Sequence, residues 1–121
     1  MARLLVIDDD ADLAKLTSIR LRRAGHEVET AVDGIAGLAA IRSMRPQLVV
    51  LDWMMPGLDG LEVCRAVRAD AAISATPLVM VTAKTAAADL DRALDAGMDA
   101  VMTKPYLPAE LIGKISSILA E

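Results

Sequence analysis

Leu48-Val49-Val50-Leu51-Asp52-Trp53-Met54-Met55-Pro56-Gly57-Leu58-Asp59-Gly60 is the stretch that decides the fold. Four consecutive apolar residues, followed closely by turn signals, are too short for a buried helix and read as a strand covered on both faces. The dipeptides Pro56-Gly57 and Asp59-Gly60 mark the loop that follows. The same pattern recurs three times. Leu4-Leu5-Val6-Ile7 runs into Asp8-Asp9-Asp10, Leu78-Val79-Met80-Val81 into Thr82, and Ala100-Val101-Met102-Thr103 into Lys104. Ligands of an open parallel sheet bind beyond the carboxyl ends of its strands. If these runs are neighbours, three or four carboxylates, a hydroxyl and an ammonium meet at one edge.

The segments between the runs read as helices. Ala11 to Ala24 carries Leu13, Leu16 and Leu21 as its inward stripe, with Asp10 as N-cap and Gly25 as terminator. Residues 27–31 form a short strand. A second helix begins at Asp33 or Gly34, turns Leu38 and Ile41 inward and stops before Pro46. Strand 47–52 is followed by helix 61–68, strand 78–82, helix 86–96, strand 99–103 and a helix from Pro108 to about Leu119. Strictly alternating strands and helices with short connections predict an α/β fold, doubly wound around a right-handed five-stranded parallel sheet with five helices. No internal linker is visible, so residues 1–121 read as one domain.

Composition narrows the function. The 121 residues are 55% hydrophobic and 25% charged, with net charge −4. An acidic domain with no basic stripe predicts no direct nucleic-acid contact. Arg20, Arg22 and Arg23 read as a solvated helix face. The single Cys64 excludes an intrachain disulfide and reads as a small buried hydrophobe; His26 lacks the partners of a metal site. No apolar run approaches the ~18 residues of a membrane span. The amino terminus enters a strand at once, and the expected location is the cytoplasm.

The strand ends carry the chemistry. Asp8 and Asp9 are adjacent like charges, a good Mg²⁺ signature, because a cation relieves their repulsion. Asp52 is held by its buried strand, and a carboxylate there suits attack on phosphorus to form an acyl phosphate. Thr82 offers a hydroxyl and Lys104 an ammonium to phosphoryl oxygens. Phosphoryl transfer asks mainly for such positioning and charge neutralisation.

In these segments the chain resembles the receiver domain of two-component response regulators. The resemblance rests on Val6-Ile7-Asp8-Asp9-Asp10, Leu51 to Gly60, Val81-Thr82-Ala83 and Thr103-Lys104-Pro105-Tyr106, with spacings of 30 and 22 residues from Asp52 to Thr82 and on to Lys104. It implies a CheY-like sheet in the order 2-1-3-4-5. It implies phosphoryl transfer to Asp52 from a histidine kinase or phosphotransfer protein, with Mg²⁺ as cofactor. Asp9, Asp52 and the backbone carbonyl of Met54 are the implied direct ligands, with Asp8 acting through water. Thr82 and Lys104 are the implied phosphoryl contacts, and Lys104–Pro105 an implied cis peptide. The output face is the fourth helix, fifth strand and fifth helix, read by a downstream effector or used in a phosphorylation-dependent homodimer.

Such a domain is a substrate of phosphotransfer rather than an enzyme. Trp53-Met54 resembles the branch that includes winged-helix transcription regulators, although Ala93 stands where that branch often has Gly. Val101 occupies the position where the family usually places an aromatic switch residue, and Tyr106 follows the proline, where Phe is usual; both are assigned to the switch and output face. Met54 and Lys84, each two residues past a site residue, are expected to flank the path of the hydrolytic water.

Other classes make different demands. A haloacid-dehalogenase-like phosphatase wants a second aspartate where Met54 stands. A flavin-binding flavodoxin-like protein wants a phosphate loop after the first strand. A docking module working without phosphorylation would leave the acidic cluster unused. No effector region appears before the end at Glu121, which fits a stand-alone regulator or a piece of a longer regulator or hybrid kinase.

Overall fold

The computed structural model describes residues 2–121. Five strands, β1 (Arg3–Ile7), β2 (Glu27–Ala31), β3 (Leu48–Asp52), β4 (Leu78–Thr82) and β5 (Ala100–Thr103), alternate with helices α1 (Ala11–Arg23), α2 (Gly34–Met44), α3 (Gly60–Ala69), α4 (Ala87–Ala96) and α5 (Pro108–Leu119). All strand pairs are parallel, in the order β2-β1-β3-β4-β5. The expected fold class and strand order are therefore present. Boundaries differ from the sequence reading by a residue or two, the usual scatter of element ends.

Alternation along the strands divides the core in two. Leu5, Ile7, Val49, Leu51, Leu78 and Met80 face α2, α3 and α4, where Ile41, Val63, Cys64, Val67 and Ala93 meet them. Leu4, Val6, Leu48, Val50, Val79 and Val81 face α1 and α5, where Leu21, Leu111 and Ile115 meet them. Strands β3 and β4 are buried at every residue, which explains their unbroken apolar sequence. Cys64 packs as the expected small hydrophobe and directs its Sγ to the Ala96 carbonyl at 3.4 Å.

The α1 stripe differs from expectation. Leu16 is 43% exposed, and the buried face is Ala14, Thr17, Ser18 and Leu21. Ser18 turns its hydroxyl back onto the Lys15 carbonyl at 2.8 Å. A self-satisfied hydroxyl can be buried at little cost, so a polar residue takes a place that an apolar stripe assigns to Leu16.

The caps follow local chemistry. Asp10 and Asp33 accept backbone N–H bonds at the starts of α1 and α2, as N-cap carboxylates do. Asp59 and Glu62 close a reciprocal capping box on α3. Helix α2 ends instead on Arg45 with φ 47°, a left-handed cap on a residue that gives no glycine signal. Among the described residues, no helix is long and apolar enough to cross a membrane.

Candidate functional site at the carboxyl end of the sheet

Strand register assembles the site. Ile7 pairs with Leu51, so the next residues, Asp8 and Asp52, emerge side by side. Asp52 pairs with Val81, one residue short of Thr82, and Thr82 pairs with Thr103, one short of Lys104. Carboxylate oxygens of Asp8, Asp9 and Asp52 all lie within 4.8 Å of one another. The Lys104 Nζ donates to Asp52 Oδ2 at 3.4 Å. Residues from four strand ends, far apart in sequence, meet at one edge of the sheet.

Burial makes this cluster costly. Asp8 and Asp52 are 5% and 6% exposed. Desolvation raises the Asp8 pKa to about 6; the Asp10 backbone N–H on its Oδ1 opposes this, while the Asp52 carboxylate adds to it. Three carboxylates face one ammonium here, which leaves a negative excess for an added cation. Mg²⁺ binds oxygen at about 2.1 Å in octahedral geometry, so its ligand oxygens span at most about 4.2 Å. The three carboxylates fit it with a small closure or an intervening water.

Thr82 is fully buried, and its Oγ1 accepts the Lys84 backbone N–H at 3.0 Å. A hydroxyl that accepts one bond keeps its hydrogen for another acceptor. The Lys104–Pro105 peptide is cis. Met54 is 59% exposed at the start of the β3–α3 loop. Lys84 is half-buried beside Trp53. Its ammonium lies 4.9 Å from the centre of the Trp53 ring, with the Arg92 guanidinium at 5.7 Å. Trp53 therefore joins the strand end to α4 through cation–π contacts.

The two residues assigned to the output face separate. Val101, on the edge strand β5, is half-buried against the α4-side core. Tyr106 packs on the opposite side of the sheet against the α1–α5 core. Burial raises its phenol pKa, and the neighbouring Thr17 side chain opposes that rise. Tyr106 therefore packs locally and does not fill the place of the missing ring.

Gly60 carries a role that a turn reading misses. It opens α3 and donates its N–H to the Trp53 carbonyl at 2.9 Å. A Cβ at this position would overlap the Asp52 carbonyl oxygen and lie 2.8 Å from Trp53 Cα. Its bare backbone lets α3 press directly on the strand end that carries Asp52.

A five-stranded doubly wound domain with three clustered carboxylates and a lysine at the carboxyl end of its sheet has the architecture of a receiver domain. The response regulator receiver domain matches residues 4–116, and the chain belongs to that family. MtrA of Mycobacterium tuberculosis, a DNA-binding response regulator, is 44% identical over 117 residues, 97% of this chain and 50% of MtrA. RpaA of Synechocystis, a DNA-binding transcriptional regulator, is 39% identical, over 98% of this chain and 49% of RpaA. The chain thus spans about half the length of these curated relatives. The chemotaxis protein CheY4 of Vibrio cholerae superposes with TM-score 0.91 at 31% identity, covering 98% of each chain. A Francisella response regulator receiver domain superposes at TM-score 0.93 and 28% identity, over 99% of this chain and 98% of that one. The protein is the receiver domain of a response regulator in a two-component system.

Proposed function

We propose that Asp52 is the phosphoryl acceptor, with Asp8, Asp9, Asp52 and the Met54 carbonyl holding Mg²⁺ and Thr82 and Lys104 receiving the phosphoryl oxygens. The observation that carries this reading is the clustering of three carboxylates, buried Asp8 and Asp52 and exposed Asp9, at the strand ends, with Lys104 on Asp52. Bound there, Mg²⁺ supplies positive charge to the carboxylates and to the incoming phosphoryl oxygens.

An Asp52 carboxylate oxygen attacks the phosphorus of a phosphohistidine on a histidine kinase or phosphotransfer protein. The new O–P bond forms as the N–P bond breaks, and the electron pair returns to the imidazole nitrogen, which takes a proton. Lys104, already on Oδ2, then pairs with the dianionic product. Thr82 donates its free hydroxyl hydrogen to a phosphoryl oxygen. Because Thr82 also anchors the Lys84 backbone, that rotation moves the β4–α4 loop and the α4-β5-α5 face, biasing a two-state equilibrium that an effector reads. By analogy with MtrA and RpaA, the effector is a DNA-binding domain, and residues 1–121 form one receiver domain. Phosphorylation-dependent pairing of two copies through that face, and a cytoplasmic location, complete the reading.

Acetyl phosphate with Mg²⁺ is expected to add one phosphoryl group to the wild type, seen by intact mass, and none to Asp52→Asn. Retained labelling of Asp52→Asn excludes the acceptor assignment.

A further inference from the structure

The geometry points to Gly34, on a helix that supplies no site residue, as a positioning residue for the cation pocket. This inference rests on the receiver reading above and names a further residue that the pocket needs. Gly34 is the first residue of α2 and is buried. A Cβ built on it would overlap the Leu58 carbonyl oxygen and lie 3.0 Å from both the Leu58 carbonyl carbon and its Cβ. Two of those three atoms are backbone, so no side-chain rotation relieves the overlap.

Backbone conformation does not demand glycine here. Gly34 is absent from the positive-φ residues, and alanine is the better helix former. The Asp33 carboxylate caps the helix at Ala36 whatever residue follows it. What remains is the close approach of α2 to the β3–α3 loop.

That loop is short and pinned at both ends. Residues 53–59 run from the strand end to the α3 cap, carrying Met54, whose carbonyl is assigned to Mg²⁺. At the far end, Asp59 caps α3 and Gly60 lies against the Asp52 carbonyl. A displacement at Leu58 is therefore passed within two residues to the backbone of the acceptor. Gly34 and Gly60 grip the loop from two directions, one from α2 and one from α3, each through a missing Cβ. Such outer supports hold ligands in place without touching the ion.

Gly34→Ala tests this, with Gly113→Ala as control, because a Cβ on Gly113 of α5 meets nothing within 4 Å. Mg²⁺ binding is read by calorimetry, and labelling by acetyl phosphate is followed across a Mg²⁺ series. Gly34→Ala is expected to weaken Mg²⁺ binding about tenfold or more, moving the labelling curve to higher Mg²⁺ while saturating Mg²⁺ restores full labelling. A merely structural glycine would lower the unfolding midpoint without this shift. Gly113→Ala is expected to match the wild type in both. Should Gly34→Ala fail to fold, Leu58→Gly, which loosens the same contact from the loop, is expected to shift the curve in the same direction. Wild-type Mg²⁺ dependence in the folded Gly34→Ala or, failing it, in Leu58→Gly overturns the assignment. A wild type that neither binds Mg²⁺ nor becomes labelled overturns the receiver reading itself.

Discussion

The two ends of the sheet handle charge in opposite ways. Before β4 and β5, at the amino end, the Arg68 guanidinium donates to the Gly97 carbonyl at 3.0 and 2.8 Å, to Ser74 and Thr76 carbonyls at 2.8 and 2.7 Å, and to Asp99 Oδ2 at 2.9 Å. Asp99 in turn accepts the Leu78 N–H at 2.8 Å. One cation meets one anion, and the surrounding carbonyls are satisfied. At the carboxyl end, among the described residues, the Asp8, Asp9 and Asp52 cluster has one ion-paired cation, Lys104 on Asp52. A cluster whose charges balance internally fastens elements together; one that carries a surplus is built to receive something from outside.

The contrast breaks most visibly at Arg68. Arg68→Ala strands three partly buried carbonyls and is expected to cost about 2–3 kcal/mol in urea unfolding, since their donors are lost; the exposed Asp99 adds little. Lysine, with a single point donor site, is expected to recover little of the loss.

At the other end the sign reverses. Asp8→Asn removes a desolvated charge and is expected to stabilise the metal-free domain by about 1–2 kcal/mol at pH 7. Adding Mg²⁺ is expected to raise the unfolding midpoint of the wild type well above that of Asp8→Asn, since only the wild type gains from full binding. Equal Mg²⁺ responses would erase the distinction between the two ends.

A smaller effect sharpens it further. Folded Asp8 keeps its proton to about pH 6, whereas an unfolded aspartate releases it near 3.8. Between those values the folded chain binds more protons than the unfolded one. The Asp8 contribution to metal-free stability is therefore fully present below about pH 4 and is lost as pH rises through about 6. Urea midpoints measured across this range are expected to show that decline in the wild type and to lack the Asp8 contribution in Asp8→Asn.

Much of this was legible in the sequence because the signals are local. Buried parallel strands must be apolar throughout, so β1, β3 and β4 announce themselves, and their closing residues Asp8, Asp52 and Thr82 follow by position. Parallel register then carries those residues to one edge. What escaped depends on contacts between distant segments. Leu16 lost its inward place because Ser18 satisfies its own hydroxyl. Arg45 takes a left-handed cap without any glycine to signal it. Arg68 reads as an ordinary helix arginine, since its partners are mostly carbonyls, which have no sequence signature. Gly34 and Gly60 read as a helix start and a turn; their steric duty exists only once α2 and α3 close on the β3–α3 loop. The Lys84 contact with the Trp53 ring escaped for the same reason.

Calorimetric titration of the wild type with Mg²⁺ at pH 7, repeated on Asp9→Asn, tests the charge surplus most directly. One ion bound per wild-type chain, with binding abolished or severely weakened in Asp9→Asn, is the expected result. A wild type that takes up no Mg²⁺, or an Asp9→Asn variant that binds it equally well, would contradict the account.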